Sequence, residues 1–312
     1  MGGKLLRSGT FLHRVSDAKR RTPGLVALIV AFACMIGSAA VGYFLLSPLV
    51  DQRELDARDG AGPAMADPFA LPDAVFMLVG YTAFIFVFLW LWLRLWEGRK
   101  FVTLGLDPGS VGKGLRGVLF AMAAVTVWAS ILIATGAGTL EIAAAEVPLT
   151  ALLAALALMP LAWAVQTGSE EIIFRGFLLQ TVGQRHGLIL GVVVSCVVFA
   201  LAHAGNGIGN AYYFAGVFLL AIFLCLYAIA ENSLWGVWGF HLAWNFSQSQ
   251  VFGIRAIGDD VSPNRLFVTL DQTPRLMRLQ ATQSDISLAA IGLTLVLILI
   301  AFFALMRNTR PE

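Results

Sequence analysis

Polar side chains are scarce in the apolar stretches of this chain, and those able to do chemistry fall into three clusters. The first is Thr167-Gly168-Ser169-Glu170-Glu171-Ile172-Ile173-Phe174-Arg175. Neighbouring helical residues sit about 100° apart, so the two glutamates cannot share a helix face. Glu171 and Arg175 stand at i,i+4 with the acid first, the favourable order for an ion pair. That pairing leaves Glu170 the freer carboxylate, suited to act as a general base for water. The second cluster is Phe199-Ala200-Leu201-Ala202-His203, where His203 closes an apolar run. The third is His241-Leu242-Ala243-Trp244-Asn245. There His241 and Asn245, one turn apart, can address one ligand with an imidazole and an amide. Each cluster also has an ordinary structural reading. The glutamates and Arg175 fit a solvated helix end, His203 fits a satisfied core histidine, and His241 with Asn245 fits hydrogen bonding between membrane helices.

Depth along the helices joins the clusters. If the chain reverses near His186-Gly187, Glu170 and His203 each lie roughly 25 Å from that turn, on antiparallel helices. The chain holds four histidines, and the two predicted inside apolar spans, His203 and His241, are the two in these clusters. A buried carboxylate, two histidines and an asparagine form a set able to activate water and stabilise an oxyanion.

The elements that must position these residues are membrane helices. Of 312 residues, 58% are hydrophobic and 13% charged, against about 25% charged in soluble domains. Mean hydropathy is +0.80. A water-soluble enzyme and a disordered chain are excluded. A nucleic-acid-binding domain is excluded as well, since the net charge is only +2 and no basic stripe recurs. The fold class read from this is all-α, a polytopic membrane bundle. Eight apolar runs are candidate spans, near 24–50, 71–96, 114–136, 147–165, 188–204, 211–230, 234–246 and 286–306. The fourth continues as a mixed stretch to about Val182, and the seventh is short. The first run is too long for a signal-peptide core and reads as a retained anchor.

Loop charges give the orientation. Basic residues dominate the N-terminal tail, the loop near Arg99 to Arg116, and the C-terminal tail with Arg307 and Arg310. Acids dominate 51–70 and 136–146. Both termini are therefore expected inside. The chain divides into a basic tail (1–23), three N-terminal spans (24–146), a core carrying the three clusters (147–247), a polar connection (248–285) and a last span with its tail (286–312). Cys34, Cys196 and Cys225 lie in apolar runs without metal or disulfide spacing, and read as small buried hydrophobes.

Read together, EEIIFR at 170–175, FALAH at 199–203 and HLAWN at 241–245 resemble the CPBP family of intramembrane proteases, the CAAX-protease and bacteriocin-processing family. Ser233-Leu234-Trp235 adds to the likeness, which covers roughly 147–247. The resemblance implies an eight-helix bundle with a polar cavity open to the cytoplasm. By position it gives Glu170 the activation of water with help from His203, and oxyanion stabilisation to His241 and Asn245. Glu171, Arg175 and Phe199 support the site. A glutamate-activated water needs no cofactor. Zinc is the alternative, since Glu170, His203 and His241 are acceptable ligands, although no HExxH occurs. The expected substrate is a membrane-associated peptide or lipidated protein, in a bacterial or archaeal plasma membrane. Two competitors remain: a non-enzymatic scaffold or immunity protein of the same fold, and a proton-coupled carrier, for which the inverted repeats are not visible.

Overall fold

Backbone groups in hydrocarbon must find partners within their own segment, so apolar runs of this length become helices. The computed structural model describes residues 9–58, 70–146, 148–203, 211–254, 275–281 and 283–308. Residues 59–69 of the acidic loop and 255–274 of the polar connection lie outside that set, as do the extreme termini. Among the described residues, ten α-helices run in chain order: α1 (Gly9–His13), α2 (Gly24–Arg58), α3 (Ala70–Leu91), α4 (Gly112–Ala134), α5 (Leu149–Glu170), α6 (Gln180–His186), α7 (Leu188–Ala202), α8 (Ala211–Glu231), α9 (Leu234–Phe246) and α10 (Gln283–Asn308). The architecture is a polytopic helical bundle, as the composition requires.

Among the described residues, six helices are long and apolar enough to cross a membrane. The fourth apolar run is one of them, and its mixed continuation is helical too: α5, a π-helical stretch Glu171–Leu179 and α6 form one rod from Leu149 to His186. α7 and α9 are short at 15 and 13 residues. A π turn, Ser247–Val251, prolongs α9. Ser233 caps α9 by accepting a hydrogen bond from the Trp235 amide at 3.2 Å.

The all-α expectation missed one small ladder. β1 (Gly138–Glu141) pairs antiparallel with β2 (Arg278–Ala281), Gly138 opposite Ala281. It ties the end of α4 to the start of α10 on one face of the bundle. The opposite face gathers the basic segments. Arg14 donates to Asp107 Oδ2 at 2.7 Å and to Asn232 O at 3.0 Å, and Lys113 donates to Glu231 O at 2.7 Å. Gln184 donates to Ser16 Oγ at 2.7 Å, so the N-terminal segment lies across this face. The guanidinium of Arg14 holds the Asp107 carboxyl below the usual carboxylate range.

α9 threads the middle of the bundle by close backbone contact. A Cβ on Gly117 of α4 would stand 2.0 Å from Gly236 O, and one on Gly239 would stand 2.1 Å from Gly114 O. Paired small residues of this kind let membrane helices pack through dispersion and backbone contacts where no hydrophobic drive exists between them. Trp128 of α4 stacks on Trp244 at 5.5 Å, locking the same pair of helices further along.

Candidate active site

The first cluster sits where α5 passes into the π stretch, a local widening often found where side chains must be re-aimed. Glu171 and Arg175 are fully buried there. Arg175 Nη1 donates to Glu171 Oε1 at 3.0 Å, the i,i+4 pair expected from the spacing. The same Glu171 oxygen accepts from His241 Nδ1 on α9 at 2.8 Å, so one carboxylate fixes both the arginine and the imidazole. The Arg175 guanidinium lies 4.3 Å above the Phe199 ring, a cation–π contact that is stronger out of water. Phe199 in turn lies 4.4 Å from the His203 ring and 6.0 Å from the His241 ring. It is the floor on which both histidines rest.

Glu170 stands apart from that pair, as its helix phase requires. Its Oε1 accepts from the Gln166 amide one turn earlier. His203 Nε2 lies 3.8 Å from Oε1, and His241 Nε2 lies 3.8 Å from Oε2. These separations exceed a direct hydrogen bond, and Glu170 Oε2 has no partner among the described residues. A buried carboxylate oxygen without a partner is costly in a purely structural site. The Nδ1 of His203 is 2.8 Å from the Phe199 carbonyl. A carbonyl can only accept, so Nδ1 carries the proton and Nε2 of the neutral ring presents its lone pair toward Glu170. Both imidazoles thus have Nδ1 tied down and Nε2 directed at one carboxylate.

The structure therefore brings Glu170, Glu171, Arg175, Phe199, His203 and His241 together. Asn245 follows His241 by one turn on α9, half-buried, with no hydrogen bond to the others among the described residues. Sequence reasoning missed Gln166, although its i−4 spacing to Glu170 was the available signal. It also missed Trp238. That indole donates to Ala164 O at 2.8 Å and lies where a Cβ on Gly168 would come within 2.3 Å, setting how closely α9 approaches α5. Among the described residues, no three His, Cys, Asp or Glu side chains are arranged to hold a metal ion.

The fold and this cluster define a class: a membrane helix bundle with a carboxylate and two histidines converging inside it. Residues 152–247 match the family model described as type II CAAX prenyl endopeptidase, Rce1-like. That segment carries all three motifs, and at the level of the family the match supports a CAAX-type intramembrane endopeptidase, in agreement with the CPBP resemblance. No curated protein and no solved structure matches the chain.

Proposed function

We propose that this protein is an intramembrane endopeptidase in which Glu170 activates water to hydrolyse a peptide bond of a membrane-associated substrate. The observation that carries the reading is the convergence of two imidazole Nε2 atoms on the Glu170 carboxylate, each 3.8 Å from a different oxygen, with Oε2 without a hydrogen-bond partner among the described residues. A water between Glu170 and His203 donates one hydrogen bond to the Glu170 carboxylate and the other to the lone pair of His203 Nε2. Glu170 takes its proton as the oxygen attacks the scissile carbonyl carbon. The charge that develops on the carbonyl oxygen is met by the Asn245 side-chain amide and by a proton on His241 Nε2. Collapse breaks the C–N bond, and the proton held by Glu170 passes to the leaving amine.

Glu171 and Arg175 take no part in bond making. They hold His241 and Phe199 in place from beneath. The first test uses purified protein in detergent with a panel of quenched peptides, some farnesylated at a CAAX cysteine and others unmodified membrane segments, each with and without a strong chelator. Chelator-insensitive cleavage is expected. Cleavage abolished by the chelator and restored by zinc would replace the glutamate-based mechanism with a metalloprotease using the same residues.

A further inference from the structure

α2 and α3 lie side by side but do not close along their whole length. Away from the basic face they meet tightly. Ser38 Oγ donates to Tyr81 O at 2.7 Å, and a Cβ on Gly42 would stand 2.5 Å from Gly80 O. Toward the basic face they part, and α3 runs on as a π-helical stretch, Trp92–Glu97. A groove of about 520 Å³ opens there, between Val30, Ala33 and Cys34 of α2 and Leu91, Trp92 and Leu95 of α3 and its π stretch. That volume falls within the range of small-molecule sites, roughly 300–1,000 Å³.

The groove is apolar and faces lipid. Val30 and Cys34 are its buried floor, whereas Ala33, Leu91 and Leu95 are exposed. Gly37 and Phe88 narrow its inner end, since a Cβ on Gly37 would stand 3.2 Å from the Phe88 ring. Trp96 stands at the outer end, its ring stacked 5.4 Å from that of Trp92. Indoles are enriched at the level of lipid headgroups. Among the described residues, no charged side chain lines the groove. The Trp92 indole already donates to Thr22 Oγ1 at 3.0 Å. The groove therefore offers hydrophobic and dispersion contact, which suits a hydrocarbon chain.

The outer end carries charge. The Arg20 guanidinium lies 5.6 Å above the Trp96 ring. The amides of Lys19 and Arg20 donate to Glu97 O at 2.8 and 3.3 Å, and the Lys19 stem packs against Gly98. These contacts fix two exposed cations at the mouth of the groove. The Glu97 side chain is fully buried and accepts from Arg99 and Thr22, so its charge is met from within. Asp17 is the one acid in residues 9–24, against Arg14, Lys19, Arg20 and Arg21.

We propose that this groove binds an anionic phospholipid of the bilayer, with an acyl chain between α2 and α3 and the phosphate on Lys19 and Arg20. A lipid without net charge would leave the two cations unmatched, and a soluble anion would leave the groove unfilled. The proposal does not depend on the endopeptidase reading. It does bear on the rod, because Arg99 Nη1 donates to Gln180 Oε1 of α6 at 3.3 Å. A lipid that braces the mouth thereby braces one end of the rod that carries Glu170.

The test is lipid binding to the full-length protein, delipidated in a neutral detergent, read by native mass spectrometry and by the unfolding midpoint. The probes are dioleoyl phosphatidylglycerol, dioleoyl phosphatidylcholine and glycerol phosphate, which has no chains. Ala33→Phe fills the groove from its lipid side, and Lys19→Gln/Arg20→Gln removes the cations. Wild type is expected to bind phosphatidylglycerol at least about tenfold more tightly than phosphatidylcholine, with a rise in midpoint. Each cation near the surface strengthens binding of an anionic headgroup roughly fivefold, so the double variant is expected to lose roughly thirtyfold and most of the preference between the lipids. Ala33→Phe should weaken both lipids and keep the lipid-free midpoint. Equal affinity of the wild type for the two lipids overturns the proposal, as does glycerol phosphate binding as tightly as phosphatidylglycerol. So does an Ala33→Phe protein that keeps the lipid-free midpoint and still binds phosphatidylglycerol as the wild type does.

Discussion

Removing Arg175 tests the support beneath the site. Arg175 and Glu171 are both fully buried, with a single contact at 3.0 Å between them. At an effective dielectric near 20, a pair at that distance attracts by roughly 5 kcal/mol. Breaking such a pair from one side leaves an uncompensated charge, which costs about 3–5 kcal/mol. Arg175→Met keeps the volume, loses the guanidinium above Phe199 and strands Glu171 with His241 as its remaining partner. The expected loss lies in that 3–5 kcal/mol range, and on the order of 10 °C in the unfolding midpoint measured by fluorescence in detergent. The double variant Glu171→Gln/Arg175→Met removes both charges, and it is expected to recover most of the stability but none of the activity, since His241 is no longer anchored. Destabilisation of Arg175→Met below about 1 kcal/mol would refute the reasoning, as would a double variant no more stable than the single one.

Further expectations follow from neighbouring contacts. His203→Ala and Asn245→Ala should each lower kcat by about a hundredfold with little change in KM, and a change confined to KM would show that they bind substrate without serving the reaction. Gly168→Val should push Trp238 and α9 away from α5, since even its Cβ would stand 2.3 Å from the indole. A cost of about 1–3 kcal/mol with a matching loss of cleavage is expected, and unchanged midpoint and rate would contradict the packing account. Asp107→Asn should loosen the N-terminal segment, read as faster hydrogen exchange in residues 9–17. Because Arg14 holds the Asp107 carboxyl below its usual range, this tie is complete above the ordinary carboxylate pKa of about 4. It is lost as pH falls through the depressed value, so exchange in the wild type should accelerate only on acidification beyond that point.

The sequence carried much of this arrangement because intramembrane polar residues are expensive and stand out. The i,i+4 spacing of Glu171 and Arg175 foretold their pair, and the freedom of Glu170 followed from helix phase. Matching depths about the turn at His186-Gly187 foretold that Glu170 and His203 meet. What escaped was contact between segments distant in the chain. Nothing in the local pattern ties His241 Nδ1 to Glu171, 70 residues away, or sets Trp238 against Gly168. The strands Gly138–Glu141 and Arg278–Ala281 are four residues each, too short to show alternation. The π stretch at Glu171–Leu179 leaves no periodic mark in so apolar a run.

The central claim is that Glu170 is the base. Its most direct test is the cleavage rate of Glu170→Gln against wild type, on a peptide the wild type cuts, with the midpoint of unfolding measured on the same samples. The amide retains the size of the side chain and the contact with Gln166 but cannot accept a proton. The account predicts a rate reduced by at least about 10²–10⁴ with the midpoint essentially preserved. Cleavage at the wild-type rate by a folded Glu170→Gln protein would contradict it.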